Sequence, residues 1–229
     1  MTQAMDPIRL FIETGRKKVI AGAVDWPGLV RTRGDEKSAI QAVVEYGTRY
    51  ARVLQYGKIE FIPPMEPTNL VVVERQAGNA TTDFGAPISI LDLDRKPVDQ
   101  KELVRLQEIL KACWLAFDHA ALQAIGKKLR TGPRGGGREL NQILEHVLGA
   151  DQEYLAQLGF KPARKAGTDM ADQLNDIRKN TMDGTTAASR GEQPVEGPRG
   201  GIIWPIRYFF RRAAWHVLDH AWEIEDRLP

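Results

Sequence analysis

Short apolar runs dominate the first third of the chain and predict β-strands. Lys17–Val24 and Leu29–Arg33 each have the character of a strand, and Pro27-Gly28 between them supplies turn geometry. Two further runs, Lys58–Pro64 and Thr68–Gln76, have the same character, and the second is rich in valine. The pattern therefore predicts four strands in this part of the chain.

The spacing of apolar residues changes to that of a helix between these two pairs of strands. Apolar residues from Ile40 to Leu54 recur three and four positions apart, so they share one face of a helix. Asp35 precedes this stretch and is a suitable N-cap. The order strand, strand, helix, with extra strands after it, predicts an α+β module over residues 1–76. Residues 77–98 are rich in turn-forming residues and are either a linker or a loop packed over its neighbours.

Four amphipathic helices are predicted in the second half. The apolar stripes of the first three run over Leu103–Ala124, Leu140–Leu158 and Met170–Ile177. The third helix has Thr168 as a candidate cap, and the fourth begins near Pro205, whose fixed φ suits a first helical turn. These stripes predict an antiparallel four-helix bundle over residues 99–229. Asp183–Gly201 is long, polar and rich in glycine and proline, which predicts a mobile crossover or a lid.

The composition narrows the class of protein. The chain has 32 Lys+Arg, 30 Asp+Glu and a net charge of +2, which gives no electrostatic reason to expect a nucleic acid or an anionic membrane as partner. It has neither a signal peptide nor an apolar run of roughly 18 residues. Its one cysteine cannot form an internal disulfide, which suits a reducing compartment. We therefore expect a cytoplasmic protein. The glycine-rich Arg130–Arg138 is either an anion-binding backbone nest or a flexible connection.

Two of the four histidines lie one helical turn apart near the end of the chain. In helical projection His220 falls inside the apolar arc of the fourth helix, and His216 lies on its rim. His146 lies on the rim of the second helix, so three imidazoles can meet where the two helices face each other. Such a meeting forms either an open metal site or an ordinary hydrogen-bonded helix interface. His119 projects toward solvent and is interpreted as a surface residue.

Other side chains near these histidines have two interpretations each. Glu223 is a candidate general base, fourth ligand or partner of a ligating histidine, or it is a solvated acid. Arg207, Arg211 and Arg212 either attract an anionic thiol or acid, or form a solvated basic face. Cys113 lies on the apolar stripe of its helix, where a buried and inert thiol is expected.

The C-terminal part, about Val98 to Pro229, resembles the DinB-like four-helix bundles. The resemblance is carried by LNQILEHVLGADQEYLAQLG, which contains His146, and by RRAAWHVLDHAWEIED, which contains the pair His216-x-x-x-His220. One histidine on the second helix and an HxxxH pair on the last helix form the metal triad of that family. The resemblance therefore implies that these three histidines bind a divalent metal ion, with zinc or nickel favoured.

The N-terminal part, about Lys17 to Tyr56, resembles a HicB-type module. The resemblance is carried by VDWPGLVRTRGDEKSAIQAVVEYGTRYA. In HicB antitoxins this module binds a small RNase toxin and is often followed by a DNA-binding segment. Here a helical bundle follows instead, and no helix-turn-helix or ribbon-type reader is evident. The fold can therefore be shared without the function.

Two functions follow from these resemblances. The first is a metal-dependent transferase, or a related hydrolase or isomerase, that acts on a small molecule and uses a low-molecular-weight thiol as co-substrate. The second is a non-catalytic stress or interaction protein, in which the HicB-like module recruits a partner and the metal is structural or vestigial. Related bundles often pair, so a homodimer is the expected assembly.

Overall fold

The fold consists of a four-stranded sheet followed by a bundle of four long helices. The structure is a computed structural model, and it describes residues 6–132, 137–161 and 169–229. The strands are β1 (Ile8–Thr14), β2 (Val19–Ala23), β3 (Val30–Arg33) and β4 (Leu70–Ala77). The helices are α1 (Glu36–Gln55), the short α2 (Ala80–Phe84), α3 (Gln100–Ala124), α4 (Leu140–Gln157), α5 (Met170–Ser189) and α6 (Ile206–Arg227). The predicted α+β class is confirmed. None of the described helices has the length and apolar character needed to cross a bilayer.

The strands form one mixed sheet in the order β3-β2-β1-β4. β1 pairs antiparallel with β2, β2 pairs antiparallel with β3, and β4 pairs parallel with β1 on the opposite edge. A parallel connection needs a crossover, and α1 provides it between β3 and β4. Three of the four predicted strands are therefore confirmed as β2, β3 and β4, with small shifts at their ends.

The prediction of a strand at Lys58–Pro64 is wrong, because this stretch packs as an irregular segment. Its Phe61 ring lies edge-on against the rings of Trp26 and Tyr50, with centroid distances of 4.7 and 5.2 Å. Ile59 and Phe61 are partly buried by packing against the core rather than by strand pairing, whereas Ile62 is exposed. The remaining strand is β1, which the sequence pattern misses. Its consecutive apolar residues Leu10, Phe11 and Ile12 are buried on both faces, and this run interrupts the alternation that a half-buried strand shows.

Helix α1 covers one face of the sheet and ties the sheet to the bundle. Asp35 is its N-cap, as predicted, and accepts a hydrogen bond from a backbone N–H of the first turn. Tyr50, fully buried on α1, donates its hydroxyl to the carbonyl of Pro27 at 2.7 Å. Gly28, the residue after Pro27, has a φ of +99°, and a Cβ at this position would lie 2.7 Å from a side-chain carbon of Leu218 on α6. Glycine is therefore required where this turn meets α6.

Residues 78–99 cover the second face of the sheet. The fully buried Glu13 carboxylate on β1 accepts hydrogen bonds from the Thr82 hydroxyl and from two backbone N–H groups of this segment. Asp94 of the same segment forms a buried ion pair with Arg211 on α6. Helix α6 is thus held both by the sheet and by the segment that covers it.

The four helices of the bundle, α3, α4, α5 and α6, run up, down, down and up in that order. An ion pair between Glu102 and Arg207 joins the starts of α3 and α6, which are therefore parallel. Leu155 lies against Gly184 near the ends of α4 and α5, so these helices are parallel as well. Before α6, the backbone N–H of Trp204 donates to a carbonyl at the end of α4, which makes α4 and α6 antiparallel. The predicted antiparallel arrangement therefore holds for only some of the neighbouring helices.

Helix α5 is longer than predicted and takes in part of the predicted crossover. Residues 183–189 are helical, so the expectation that they form a mobile segment is wrong. The polar side chains of Thr181 and Thr185 are buried, and the Gln107 amide on α3 donates to the Thr185 hydroxyl at 3.0 Å. Buried hydroxyls with hydrogen-bond partners can occupy a helix interface that a purely apolar stripe does not reveal.

The connection into α6 is what remains of the predicted crossover. Residues 190–205 are mostly irregular, and the Gln193 amide anchors them by donating to a carbonyl at the end of α4 at 2.8 Å. Pro205 is the N-cap of α6, which agrees with the predicted start of that helix. Helix α5 is capped by Asp169, whereas the predicted cap Thr168 lies outside the described residues.

Candidate metal centre

Three histidine side chains meet between α4 and α6. His146 from α4 and the pair His216 and His220 from α6 each offer a ring nitrogen, and these nitrogens lie within 4.8 Å of one another. The Nε2 atoms of His146 and His216 are only 3.1 Å apart. The structure therefore brings together the three histidines to which the sequence points.

The helices explain why these rings converge. His216 and His220 are four residues apart on α6, so they stack one turn apart on the face that meets α4. His216 is 6% exposed and His220 is 8% exposed, while His146 is half-buried. His216 is therefore more deeply buried than its predicted position on the rim of the helical projection indicates. His119, as predicted, is exposed on α3 away from the cluster, where its ring lies near that of Tyr56.

Glu223 lies next to the cluster and contacts one of its members. Its Oε2 is 2.9 Å from Nδ1 of His220, and its Oε1 accepts a hydrogen bond from Arg227 at 2.8 Å. These partners lower the pKa of Glu223, with the hydrogen bond to His220 as the largest cause, so the carboxylate is charged. Because Nδ1 of His220 faces Glu223, its Nε2 is the nitrogen that is left for the cluster. A carboxylate on the outer nitrogen is the usual means of orienting a ligating histidine.

Burial favours the neutral form of two of the three imidazoles, those of His146 and His216. It lowers the pKa of His216 well below the ordinary value, and the charges of the neighbouring imidazoles add to this effect. The pKa of His146 is lowered as well, again mainly by burial. Neutral imidazole is the form that ligates a metal ion. At neutral pH His146 and His216 are therefore ready to bind one without first losing a proton.

One polar atom of the cluster is left without a partner. Among the described residues, Nδ1 of His216 is buried and makes no hydrogen bond. In the arrangement observed, Nε2 of His216 faces Nε2 of His146, and only one of these two atoms can carry the shared proton. Their separation suits a hydrogen bond and is also close to the ~3.3 Å expected between two imidazole ligands of one tetrahedral ion. The donor set, three imidazole nitrogens, fits zinc, nickel, iron or copper.

Aromatic side chains border the cluster on the side nearer to the start of α6. The Tyr154 ring on α4 meets the His216 ring edge-on at 5.5 Å between centroids. Trp204 and Tyr208 extend this row, with centroid distances of 5.3 Å from Tyr154 to Trp204 and 4.9 Å from Trp204 to Tyr208. The sequence pattern places Tyr154 on an apolar stripe without indicating that it borders the histidines. The sequence feature that could have placed Tyr154 beside the histidines is its position two helical turns after His146, on the same side of α4.

Two of the three arginines that the sequence suggests for anion binding serve the fold instead. Arg207 pairs with Glu102, and Arg211 pairs with the buried Asp94. Neither therefore belongs to a solvated basic face or has its charge available for a substrate. Arg212, one turn before His216, differs from them because none of the carboxylates among the described residues pairs with it.

The remaining candidates lie away from the histidines. Cys113 is fully buried, and burial raises the pKa of its thiol, so it is an inert core residue as expected. The glycine-rich stretch Arg130–Arg138 lies partly outside the described residues, because 133–136 are not described. The anion-binding nest that the sequence suggests would lie largely within residues 133–136, which are outside the described part of the chain.

Comparison with known proteins identifies no relative, since no family model, no curated protein and no solved structure matches the chain. The function must therefore be argued from the geometry of the histidine cluster and from the side chains around it.

Proposed function

We propose that this protein is a metal-dependent transferase of the DinB-like type, in which His146, His216 and His220 hold one divalent ion. The observation that carries the proposal is the convergence of three ring nitrogens from two antiparallel helices within 4.8 Å. Within the described part of the chain the cluster consists of three histidines without a fourth ligand, which is the donor set of catalytic sites that keep a position for substrate or water. We infer zinc or nickel as the ion and a low-molecular-weight thiol as the co-substrate.

The residues around the cluster have separate roles in this proposal. A divalent ion bound there would make a thiol more acidic, so that it reacts as a thiolate with an electrophilic small molecule. Glu223 holds the His220 ring in place through Nδ1, and its own second oxygen is occupied by Arg227. We therefore assign Glu223 the orientation of a ligand rather than the role of general base. Tyr154 excludes water from one side of the His216 ring.

Metal binding is the first test of this proposal. Cobalt(II) is titrated into the metal-free protein, prepared without a histidine tag, and its visible absorption is recorded. We expect one ion per chain, and we expect His146→Ala or His216→Ala to weaken binding more than about 100-fold, since loss of an outer partner alone costs about 10- to 100-fold. The matched control is His119→Ala, which removes the exposed histidine and leaves binding unchanged. Equal binding by His216→Ala and His119→Ala would contradict the proposal.

Thiol transfer is the second test. The metal-loaded protein is mixed with an electrophile that changes absorbance on conjugation, together with each of several cellular thiols. We expect a thiol-dependent rate that disappears after chelation and in His216→Ala, but not in His119→Ala. If the protein binds metal but shows no thiol-dependent rate with any of the thiols, the proposed transferase activity is refuted and only the metal site remains.

One observation favours a second function. The low exposure of His216 and His220, 6% and 8%, is also what a structural metal site would show. In that case the ion stabilises the bundle, and the HicB-like part recruits a protein partner. A large rise in melting temperature with metal, a stoichiometric partner in a pull-down and no thiol-dependent rate would together support this alternative.

A further inference from the structure

Arg212 is the one arginine near the start of α6 for which the fold provides no carboxylate among the described residues. Arg207 pairs with Glu102, and Arg211 pairs with the buried Asp94. The recorded hydrogen bond of Arg212 runs from its Nη1 to the carbonyl of Pro87 at 2.8 Å. The recorded partners of this half-buried guanidinium, the Pro87 carbonyl and the Tyr154 side chain, carry no charge, so its remaining N–H donors can bind an anion.

The position of Arg212 points to the histidine cluster. It lies four residues before His216, so both side chains leave α6 on the same face, roughly 5–6 Å apart at their Cβ atoms. Its guanidinium carbon is 4.7 Å from the ring centroid of Trp215 and 5.6 Å from that of Tyr154. Tyr154 in turn meets the His216 ring. Packing between two rings restrains the guanidinium beside the cluster and lowers the entropy lost when it binds a ligand.

The carboxylate that contacts the cluster is already engaged by other residues. Glu223 is bound to His220 and Arg227, so its negative charge is already engaged. A ligand that brings its own negative charge would therefore find Arg212 as its complement. A carboxylate matches the planar guanidinium with two parallel hydrogen bonds.

We propose that Arg212 binds the carboxylate of the small molecule that occupies the metal centre, so that this centre selects small ligands that carry a carboxylate close to the metal-binding atom. A short ligand is expected because Arg212 and His216 are only about one helical turn apart on α6. The inference rests on the proposed metal site and names the class of ligand that the site takes. It concerns binding and does not require that the protein be a transferase.

Two thiols of the same size test the proposal directly. The cobalt-loaded protein is titrated with mercaptoacetate and with mercaptoacetamide, which replaces the carboxylate with a neutral amide. The absorption that arises when a thiolate binds cobalt reports occupancy, so no turnover is needed. We expect mercaptoacetate to bind about 10- to 100-fold more tightly than the amide, as a hydrogen bond to a charged group would give.

Variants assign the preference to one residue. Arg212→Gln should abolish the preference for mercaptoacetate while cobalt binding is retained, and Arg212→Lys should keep only part of it. The matched control is Arg52→Gln, which removes the same charge from an exposed position on α1 and should leave the preference intact. If Arg212→Gln does not fold, the wild type and Arg212→Lys still decide the matter.

The outcomes separate this inference from the metal site itself. A protein that binds no cobalt refutes both. A protein that binds cobalt and shows equal affinity for the two thiols, or keeps its preference in Arg212→Gln, refutes the role of Arg212 and leaves the metal site standing.

Discussion

Replacing Asp151 with asparagine tests how strongly the bundle interior resists a charged carboxyl. Asp151 lies on α4 and is 4% exposed. Burial raises its pKa from 3.8 to about 7, although the charge of Arg178 and the indole N–H of Trp114 offset part of that rise. The indole nitrogen and Oδ2 of Asp151 are nevertheless without a hydrogen bond of good geometry among the described residues. The carboxyl is therefore held mainly in its neutral form at mildly acidic pH.

The sign and size of the effect on stability follow from this shift. Between the two pKa values the native protein keeps a proton that the unfolded chain has lost, so the free energy of unfolding falls as pH rises. A shift of about three pKa units corresponds to about 4 kcal/mol in total at about 1.4 kcal/mol per unit. Roughly 2–3 kcal/mol of this is lost between pH 5 and pH 8. Asparagine resembles the neutral acid in shape and does not titrate, so Asp151→Asn should lack this loss.

The assay is urea unfolding of the metal-free protein at pH 5 and pH 8, followed by circular dichroism. The difference in unfolding free energy between Asp151→Asn and the wild type should shift by roughly 2–3 kcal/mol in favour of the variant between the two pH values. Histidines that titrate in the same range contribute equally to both proteins and cancel. Asp183→Asn, an exposed change on α5, is the control and should show no shift. If Asp151→Asn and the wild type change in parallel with pH, the carboxyl is not held neutral by burial.

Two further predictions concern a pair of helical glycines and the carboxylate beside the cluster. Gly149→Ala should raise the free energy of unfolding by about 0.5–1 kcal/mol, because a Cβ there meets nothing within 4 Å and alanine favours a helix. Gly184→Ala should lower the free energy of unfolding by about 1–3 kcal/mol, because its Cβ would lie 2.9 Å from Leu155. Chemical denaturation measures both variants. If the two substitutions change stability in the same direction, the packing of α4 on α5 is contradicted. Glu223→Gln should weaken cobalt binding by about 10- to 100-fold through the loss of the charged partner of His220. The exposed Glu225→Gln is its control, and equal affinities of the two variants would refute the orienting role.

The histidine cluster could be anticipated from the sequence because helical geometry is local. The spacing of His216 and His220 fixes two rings on one face of α6, whatever the rest of the chain does. The contribution of His146 needed a further assumption, namely that α4 and α6 face each other. The structure shows that they do. Glu223 had several open interpretations, since only the side-chain contacts decide between a solvated acid and a partner of His220.

The parts of the fold that were missed depend on contacts between distant segments. Strand β1 carries the unbroken apolar run Leu10–Ile12, and its charged Glu13 is buried under the segment 78–99, so burial on this face depends on a distant part of the chain. Thr185 is polar but buried, because its hydroxyl accepts a hydrogen bond from Gln107 on α3 and donates one to the Met182 carbonyl. The parallel directions of α3 with α6 and of α4 with α5 are likewise set by connections and ion pairs rather than by apolar periodicity.

The central claim is that three histidines form one metal site, and the metal content of the protein tests it most directly. The protein is expressed without a histidine tag, purified without chelators and analysed for transition metals beside His216→Ala and His119→Ala. We predict about one divalent ion per chain in the wild type and in His119→Ala, and almost none in His216→Ala. The claim would be contradicted by a wild type that holds no metal and takes up none on titration, or by a His216→Ala variant that holds as much metal as the wild type.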